Sequence, residues 1–222
     1  MTIKFTDAAE YFVGEPQQID AFEYLQANTP PEVVEEFARR YRNKPKNPYF
    51  VSKEQLEKIW GRKVTDIQVS ELHNCLVKFE INTLPRIRHF MAQISHESGA
   101  GRYTEEIASG DAYEWREDLG NNQRGDGRRF KGAGYIQLTG RANYQQFANY
   151  MKDPRIMEGV SYVSMRYPFT SAGYWWYKNG MNALCDTNPT VEQVTRRVNG
   201  GYNGLADRKM YYDRCLKFID KL

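Results

Sequence analysis

The sequence has 222 residues, 41% hydrophobic and 27% charged, with 31 Lys and Arg against 28 Asp and Glu for a net charge of +3. A chain of this length and composition can bury a sizeable core, which excludes collagen-like and low-complexity classes, and the small net charge gives no argument for nucleic acid. No apolar run approaches the ~18 to 20 residues that span a bilayer, and the start from Met1 to Asp7 lacks a signal-peptide h-region, so cytoplasmic synthesis without export by that route is expected.

Residues 1–44 predict two short helices, about Gln17 to Gln26 and Pro31 to Tyr41. In the second, Val33, Val34, Phe37, Ala38 and Tyr41 recur at helical spacing, and Pro30-Pro31 supplies the start. Lys44-Pro45-Lys46-Asn47-Pro48 has two prolines and no apolar residue, and reads as a linker with a boundary near residue 48. Residues 1–48 are therefore expected to form a small helical appendage for targeting or docking, with a structural cap as the alternative. They hold six Lys and Arg against eight Asp and Glu, a balance of −2 that leaves +5 on residues 49–222.

The remainder predicts a mainly helical domain. Ser52 can cap a helix whose capping box is completed by Gln55, with Leu56, Ile59 and Trp60 on its apolar face. Further helices are expected at about Ile67–Phe79, Pro85–Glu97, Asn143–Met151, Pro168–Asn179, Thr190–Val198 and Leu205–Leu222. Between residues 98 and 142 the helical period fails and nine glycines punctuate what should be loop and short strand. The aromatic and apolar residues of that stretch, among them Tyr103, Tyr113, Trp115, Phe130 and Tyr135, argue for an ordered, functional loop. Cys75, Cys185 and Cys215 are spaced for neither a disulfide framework nor a zinc site, so reduced, buried thiols are expected.

The sharpest local feature is the end of the Pro85–Glu97 helix, where the chain reads Gln93-Ile94-Ser95-His96-Glu97-Ser98-Gly99. A carboxyl at a helix C-terminus meets the negative end of the macrodipole, and apolar cover would keep Glu97 protonated and able to act as a general acid. A solvated last-turn glutamate is the plainer alternative. Glycosidic hydrolysis needs a second carboxylate to activate water or form a covalent intermediate, and Glu105, Glu106, Glu114, Glu117 and Asp118 are the candidates. His96 has no second histidine at metal-binding spacing, so it reads as a satisfied or supporting residue and no metal is expected. The basic cluster Arg124, Arg128, Arg129, Lys131 and Arg141 reads better as a solvated loop face than as a nucleic-acid site. Tyr174, Trp175, Trp176 and Tyr177 are consecutive on one helix and cannot all face the core, so some must line a cleft or the surface.

Three ordered motifs carry a resemblance. Phe90-Met91-Ala92-Gln93-Ile94-Ser95-His96-Glu97-Ser98-Gly99, then Phe130-Lys131-Gly132-Ala133-Gly134-Tyr135-Ile136-Gln137-Leu138-Thr139-Gly140-Arg141-Ala142-Asn143-Tyr144, then Val198-Asn199-Gly200-Gly201 resemble glycoside hydrolase family 19, which contains chitinases and phage endolysins. The resemblance spans residues 49–222 and implies a mainly α, lysozyme-like, two-lobed fold, with a small β or loop element lining the cleft, and an inverting mechanism. It implies Glu97 as general acid and Glu106, nine positions on, as general base, with Glu105 as the neighbour easily mistaken for it and Glu114 and Glu117 in reserve. Thr139 resembles the residue that helps hold the attacking water. Gln137, Asn143, Tyr144 and Asn199 resemble substrate-contacting positions, and Arg208 resembles an arginine that organises the carboxylates. Ala133 and Trp115 depart from the pattern, standing where many relatives have a basic residue and a glycine. The implied activity is endo-hydrolysis of β-1,4 bonds in N-acetylglucosamine-containing polysaccharide, by a monomer that needs no cofactor. Peptidoglycan is favoured over chitin as the partner, and a non-catalytic wall-binding module is the alternative of another class. An inverting pair needs carboxyl groups about 6.5–9.5 Å apart, which a loop following the acid's helix can provide.

Overall fold

The computed structural model describes residues 23–25, 27–34 and 51–219. The chain divides into two compact units, residues 1–48 and 49–222. In the first unit, residues 23–25, 27–28 and 31–34 are helical, and the Pro30 carbonyl accepts from the Val33 and Val34 amides at the start of the second stretch. The rest of the two predicted N-terminal helices and the 44–48 linker lie outside the described residues.

Four helices of the second unit start at side-chain caps. Helix α1 (Lys53–Trp60) begins at Ser52, whose hydroxyl accepts from the Gln55 amide (3.1 Å) while the Gln55 side chain accepts from the Ser52 amide (2.8 Å). Thr65 with Gln68 repeats that box at α2 (Asp66–Lys78), Thr83 caps α3 (Leu84–Glu97), and Thr190 with Gln193 caps α9 (Val191–Asn199). Each such cap satisfies amides that the helix itself cannot. Between α3 and α9 come α4 (Asp126–Arg129), α5 (Arg141–Met151), α6 (Val160–Arg166), α7 (Pro168–Lys178) and α8 (Met181–Asp186). Helix α10 (Leu205–Phe218) ends with Ile219 as its C-cap, short of the predicted Leu222; residues 220–222 lie outside the described residues.

The α4, α6 and α8 helices are additions to the sequence reading. The predicted short strands are corrected to two isolated bridges, Glu105 with Ala133 and Ala133 with Leu138, accompanied by 3-10 turns at Asp111–Tyr113 and Glu117–Leu119. The glycines of this stretch spend its backbone hydrogen bonds on tight turns, leaving no run long enough to pair as a ladder.

Helix α3 is the axis of the unit. Ile87, His89, Phe90, Met91, Ala92, Gln93, Ile94 and Ser95 are all buried, more than one stripe of the helix, so it is surrounded rather than laid on a surface. Helix α10 packs along it, and α2 packs on α7. Gly173 permits that second approach, because a Cβ there would fall 2.3 Å from the Phe79 ring. Trp60 stacks on Phe169 at 5.7 Å, meets Tyr135 edge-on at 5.6 Å and donates to Ser95 Oγ at 2.9 Å. That contact locks α1, α3 and α7 together and satisfies the indole N–H that burial would otherwise penalise.

The consecutive aromatics of α7 split as their spacing demands: Trp176 is buried and Tyr177 is 56% exposed, its ring tilted against that of Tyr150. Cys75, Cys185 and Cys215 are free and buried, and burial pushes the Cys185 thiol up to about 12. Among the described residues, no helix is long and apolar enough to cross a membrane.

Candidate active site

Helix α3 ends by folding its own C-terminus shut. The Ser98 hydroxyl donates to the Ile94 carbonyl (2.6 Å) and accepts from the Gly101 amide (2.8 Å), turning the chain away directly after Glu97. Glu97 is left 24% exposed, and its Oε1 accepts from Arg208 Nη2 of α10 at 2.5 Å. Of the two carboxyls expected to be organised by Arg208, Glu97 is the one it bonds. Arg208 is fully buried and reaches three acceptors: Glu97, Gln93 Oε1 through Nη1 (2.6 Å), and the Asn203 carbonyl through Nε (3.2 Å). A buried guanidinium is tolerable only when its donors are matched in this way. Glu97 therefore has a cationic partner. Its neighbour His96 places Nδ1 2.7 Å from Asp207 Oδ2, and its ring lies where a Cβ on Gly204 would be, which requires glycine there.

Glu106 sits on the irregular segment with donors on both oxygens. Tyr113 Oη donates to Oε1 (2.8 Å) and the Gly132 amide to Oε2 (2.9 Å), while the Glu106 amide donates to the Gly132 carbonyl (2.9 Å). Lys131 clamps the same loop, donating to the Glu106 carbonyl (2.9 Å) and the Ala108 carbonyl (3.1 Å) and pairing with Glu105 Oε1 at 3.2 Å. Glu97 and Glu106 line a single cleft of about 300 Å³ with Tyr103, Glu105, Ile107, Ala108 and Gln137.

The other carboxylates separate from this pair. Glu114 spends Oε1 on the Gly125 amide (2.7 Å) and Oε2 on the Gly127 amide (2.8 Å), holding the start of α4. Asp118 pairs with Arg116, Glu117 is exposed on its 3-10 turn, and none of these three lines the cleft.

Gln137, Thr139 and Asn143 form a chain. Gln137 Nε2 donates to the Gly134 carbonyl (3.1 Å), Thr139 Oγ1 to the Gln137 carbonyl (2.8 Å), and Asn143 Nδ2 to the Thr139 carbonyl (2.8 Å). Of the three, Gln137 lines the cleft. Tyr144 corrects its expected role as a substrate contact. It is fully buried against Phe130, donates to the Lys131 carbonyl (2.7 Å), and is held by burial far above the usual phenol range. Asn199 is exposed at the end of α9 and is not among the residues lining the cleft. Sequence reasoning missed Tyr113, the Gly132 amide and the Lys131 clamp, because they approach Glu106 through loop geometry that no periodicity encodes.

No family model matches the chain. A protein of Haemophilus influenzae named as a glycosyl hydrolase family 19 domain-containing protein is 34% identical over 118 residues, 52% of this chain and 54% of that protein. An endochitinase of Arabidopsis thaliana is 32% identical over 124 residues, 52% of this chain and 39% of that protein. The matched stretches thus span about half or less of these curated relatives. The structure of chitinase C from Streptomyces griseus superposes with a TM-score of 0.61 at 16% identity, covering 78% of this chain and 94% of that one.

The chain is related to the family 19 glycoside hydrolases.

The solved chitinase supplies the fold of that relationship, and the identity to the Haemophilus and Arabidopsis proteins supplies its sequence. In this chain α3 brings Glu97 to the cleft, and the loop pinned by Lys131 brings Glu106 and Glu105.

Proposed function

We propose that the chain is an endo-acting, inverting glycosidase of β-1,4-linked polysaccharide containing N-acetylglucosamine, with Glu97 as general acid and Glu106 as general base. One observation carries this reading: Glu97, at the end of α3, and Glu106, on the irregular segment, line one open cleft that a sugar and a water can enter. In the reaction Glu97 passes its proton to the glycosidic oxygen as the C–O bond breaks, and Arg208 stabilises the carboxylate left behind. Glu106, oriented by Tyr113 and the Gly132 amide, takes a proton from the water that adds to the anomeric carbon on the opposite face. Tyr103 and Ile107, 49% and 83% exposed on the cleft wall, offer apolar surface to sugar rings and acetamido methyls.

The names of the Arabidopsis and Streptomyces proteins support chitin as substrate. The +5 balance of residues 49–222 supports peptidoglycan, since it would favour approach to an anionic wall. Reducing-sugar release from chitin, measured beside turbidity loss of peptidoglycan suspensions, separates the two, and hydrolysis of neither by the pure protein sinks the reading. E97Q and E106Q are each expected to lower kcat by about 10²- to 10⁴-fold, with Tm nearly unchanged in E106Q and lowered in E97Q, which takes the counter-charge from buried Arg208. Anomer-resolved NMR of the first product should show the α-anomer; the β-anomer would contradict inversion.

A further inference from the structure

We propose that Gln93 is a positioning residue that holds Arg208 on Glu97 and ties both to helix α9 through Thr195. Gln93 is completely buried on α3, one helical turn before Glu97. Its Oε1 accepts from Arg208 Nη1 (2.6 Å), and its Nε2 donates to Thr195 Oγ1 (3.3 Å), a hydroxyl that is also completely buried. A guanidinium offers donors only, so the amide must turn its oxygen to Arg208, and its nitrogen then needs an acceptor on the far side. Thr195 is that acceptor. The relay runs Thr195, Gln93, Arg208, Glu97, with one partner on α9, two on α3 and the cation on α10. Neither Gln93 nor Thr195 lines the cleft, so both act through Arg208.

The relay also sets how much of the cation Glu97 receives. Arg208 divides its donors among Gln93, Glu97 and the Asn203 carbonyl, and a change in any one acceptor alters its pull on the others. The other charged or titratable groups around Glu97 are Tyr103, Glu105 and Glu106 across the cleft, with Lys131 on Glu105. On the opposite side His96 pairs with Asp207 of α10. Gln93 is an uncharged group of that neighbourhood whose replacement by an isostere adds or removes an acceptor for Arg208 without touching the cleft wall.

The inference rests on Glu97 as the general acid, and two nearly isosteric variants of the full chain test it in opposite directions. Q93E gives Arg208 a second carboxylate, so Glu97 should keep its proton to higher pH. Q93M removes an acceptor, concentrates Arg208 on Glu97 and should move the proton's loss to lower pH. The expected displacement is about half to one pH unit each way. It should be read in the carbon-NMR titration of the Glu97 carboxyl, assigned by its absence in E97Q, and in the alkaline limb of kcat. A fall in kcat of about tenfold with KM changed less than about twofold should accompany it, as for a group that positions the acid without touching substrate. A merely structural glutamine would lower Tm while leaving the titration where it is in the unmutated protein, and that result overturns the inference. Should both variants fail to fold, T195V removes the far end of the relay and is expected to shift the titration in the sense of Q93M; an unmoved titration again overturns it. If the unmutated protein cleaves no glycan, the NMR titration still decides the positioning role, and the glycosidase reading alone falls.

Discussion

Glu106 is held by one side-chain hydroxyl and one backbone amide, and only the first can be removed by substitution. A hydrogen bond to a charged group contributes about 1.5–3 kcal/mol, so Y113F should lower kcat by about tenfold or more. Tyr113 is partly exposed, so Tm should hardly change; full activity in Y113F would show that the Gly132 amide alone orients the carboxylate. At this scale the sequence was legible where helix position and motif agreed. Glu97 ends a strongly patterned helix and Glu106 was singled out by the resemblance, and both line the cleft. The partner of Arg208 could not be placed by counting. Glu97 and Arg208 are 111 residues apart, and which carboxylate the guanidinium reaches depends on the docking of α10 along α3. Tyr144 misled for a related reason: a tyrosine in a substrate-contacting motif looks the same in sequence whether its hydroxyl points to a ligand or to the Lys131 carbonyl.

Among the elements, α1, α2, α3 and α9 announce themselves through Ser or Thr caps, and their limits match the sequence reading closely. Helices α4, α6 and α8 start at Gly125, Gly159 and Gly180 without a side-chain cap bond and run for seven residues or fewer, so neither start signal nor period reveals them. Helix α7 is capped from outside. Glu71 of α2 accepts from the Phe169 amide (2.7 Å), the Thr170 amide (2.8 Å) and the Thr170 hydroxyl (2.5 Å). Burial nevertheless pushes the Glu71 carboxyl up to about 7. On α3, His89 lies stacked on Tyr212 with its Nδ1 buried and unpartnered, and burial drives it down to about 4. Unfolded Glu and His titrate near 4.3 and 6.5. Between about pH 7 and 4.3 the folded state binds a proton at Glu71 that the unfolded chain does not, so acidification stabilises through Glu71. Between 6.5 and about 4 the unfolded chain binds a proton at His89 that the folded state refuses, so acidification destabilises through His89. The two oppose one another. Thermal melts from pH 7 to 4.5 should therefore lose Tm more steeply in E71Q and less steeply in H89Q than in the parent. Identical slopes in all three proteins would refute both assignments.

For the molecule as a whole, the continuous apolar core runs from Val51 to Ile219, wholly within the second unit. A chain of residues 49–222 is accordingly expected to melt cooperatively and to hydrolyse soluble oligosaccharide at a rate within about twofold of the full protein. A loss of cooperative melting would instead make residues 1–48 part of the fold. Within that core, the contact between Glu97 and Arg208 joins positions 111 residues apart, carried by α3 and α10. Closing so long a span is among the slower and costlier steps available to a folding chain. A molecule in which α10 has come away still carries both acidic groups and most of its packed interior. It lacks the cation, and on the proposed assignment it is inert. Enzymatic turnover is then a stringent witness of completed topology, blind to every partly folded form that spectroscopy would count as nearly native.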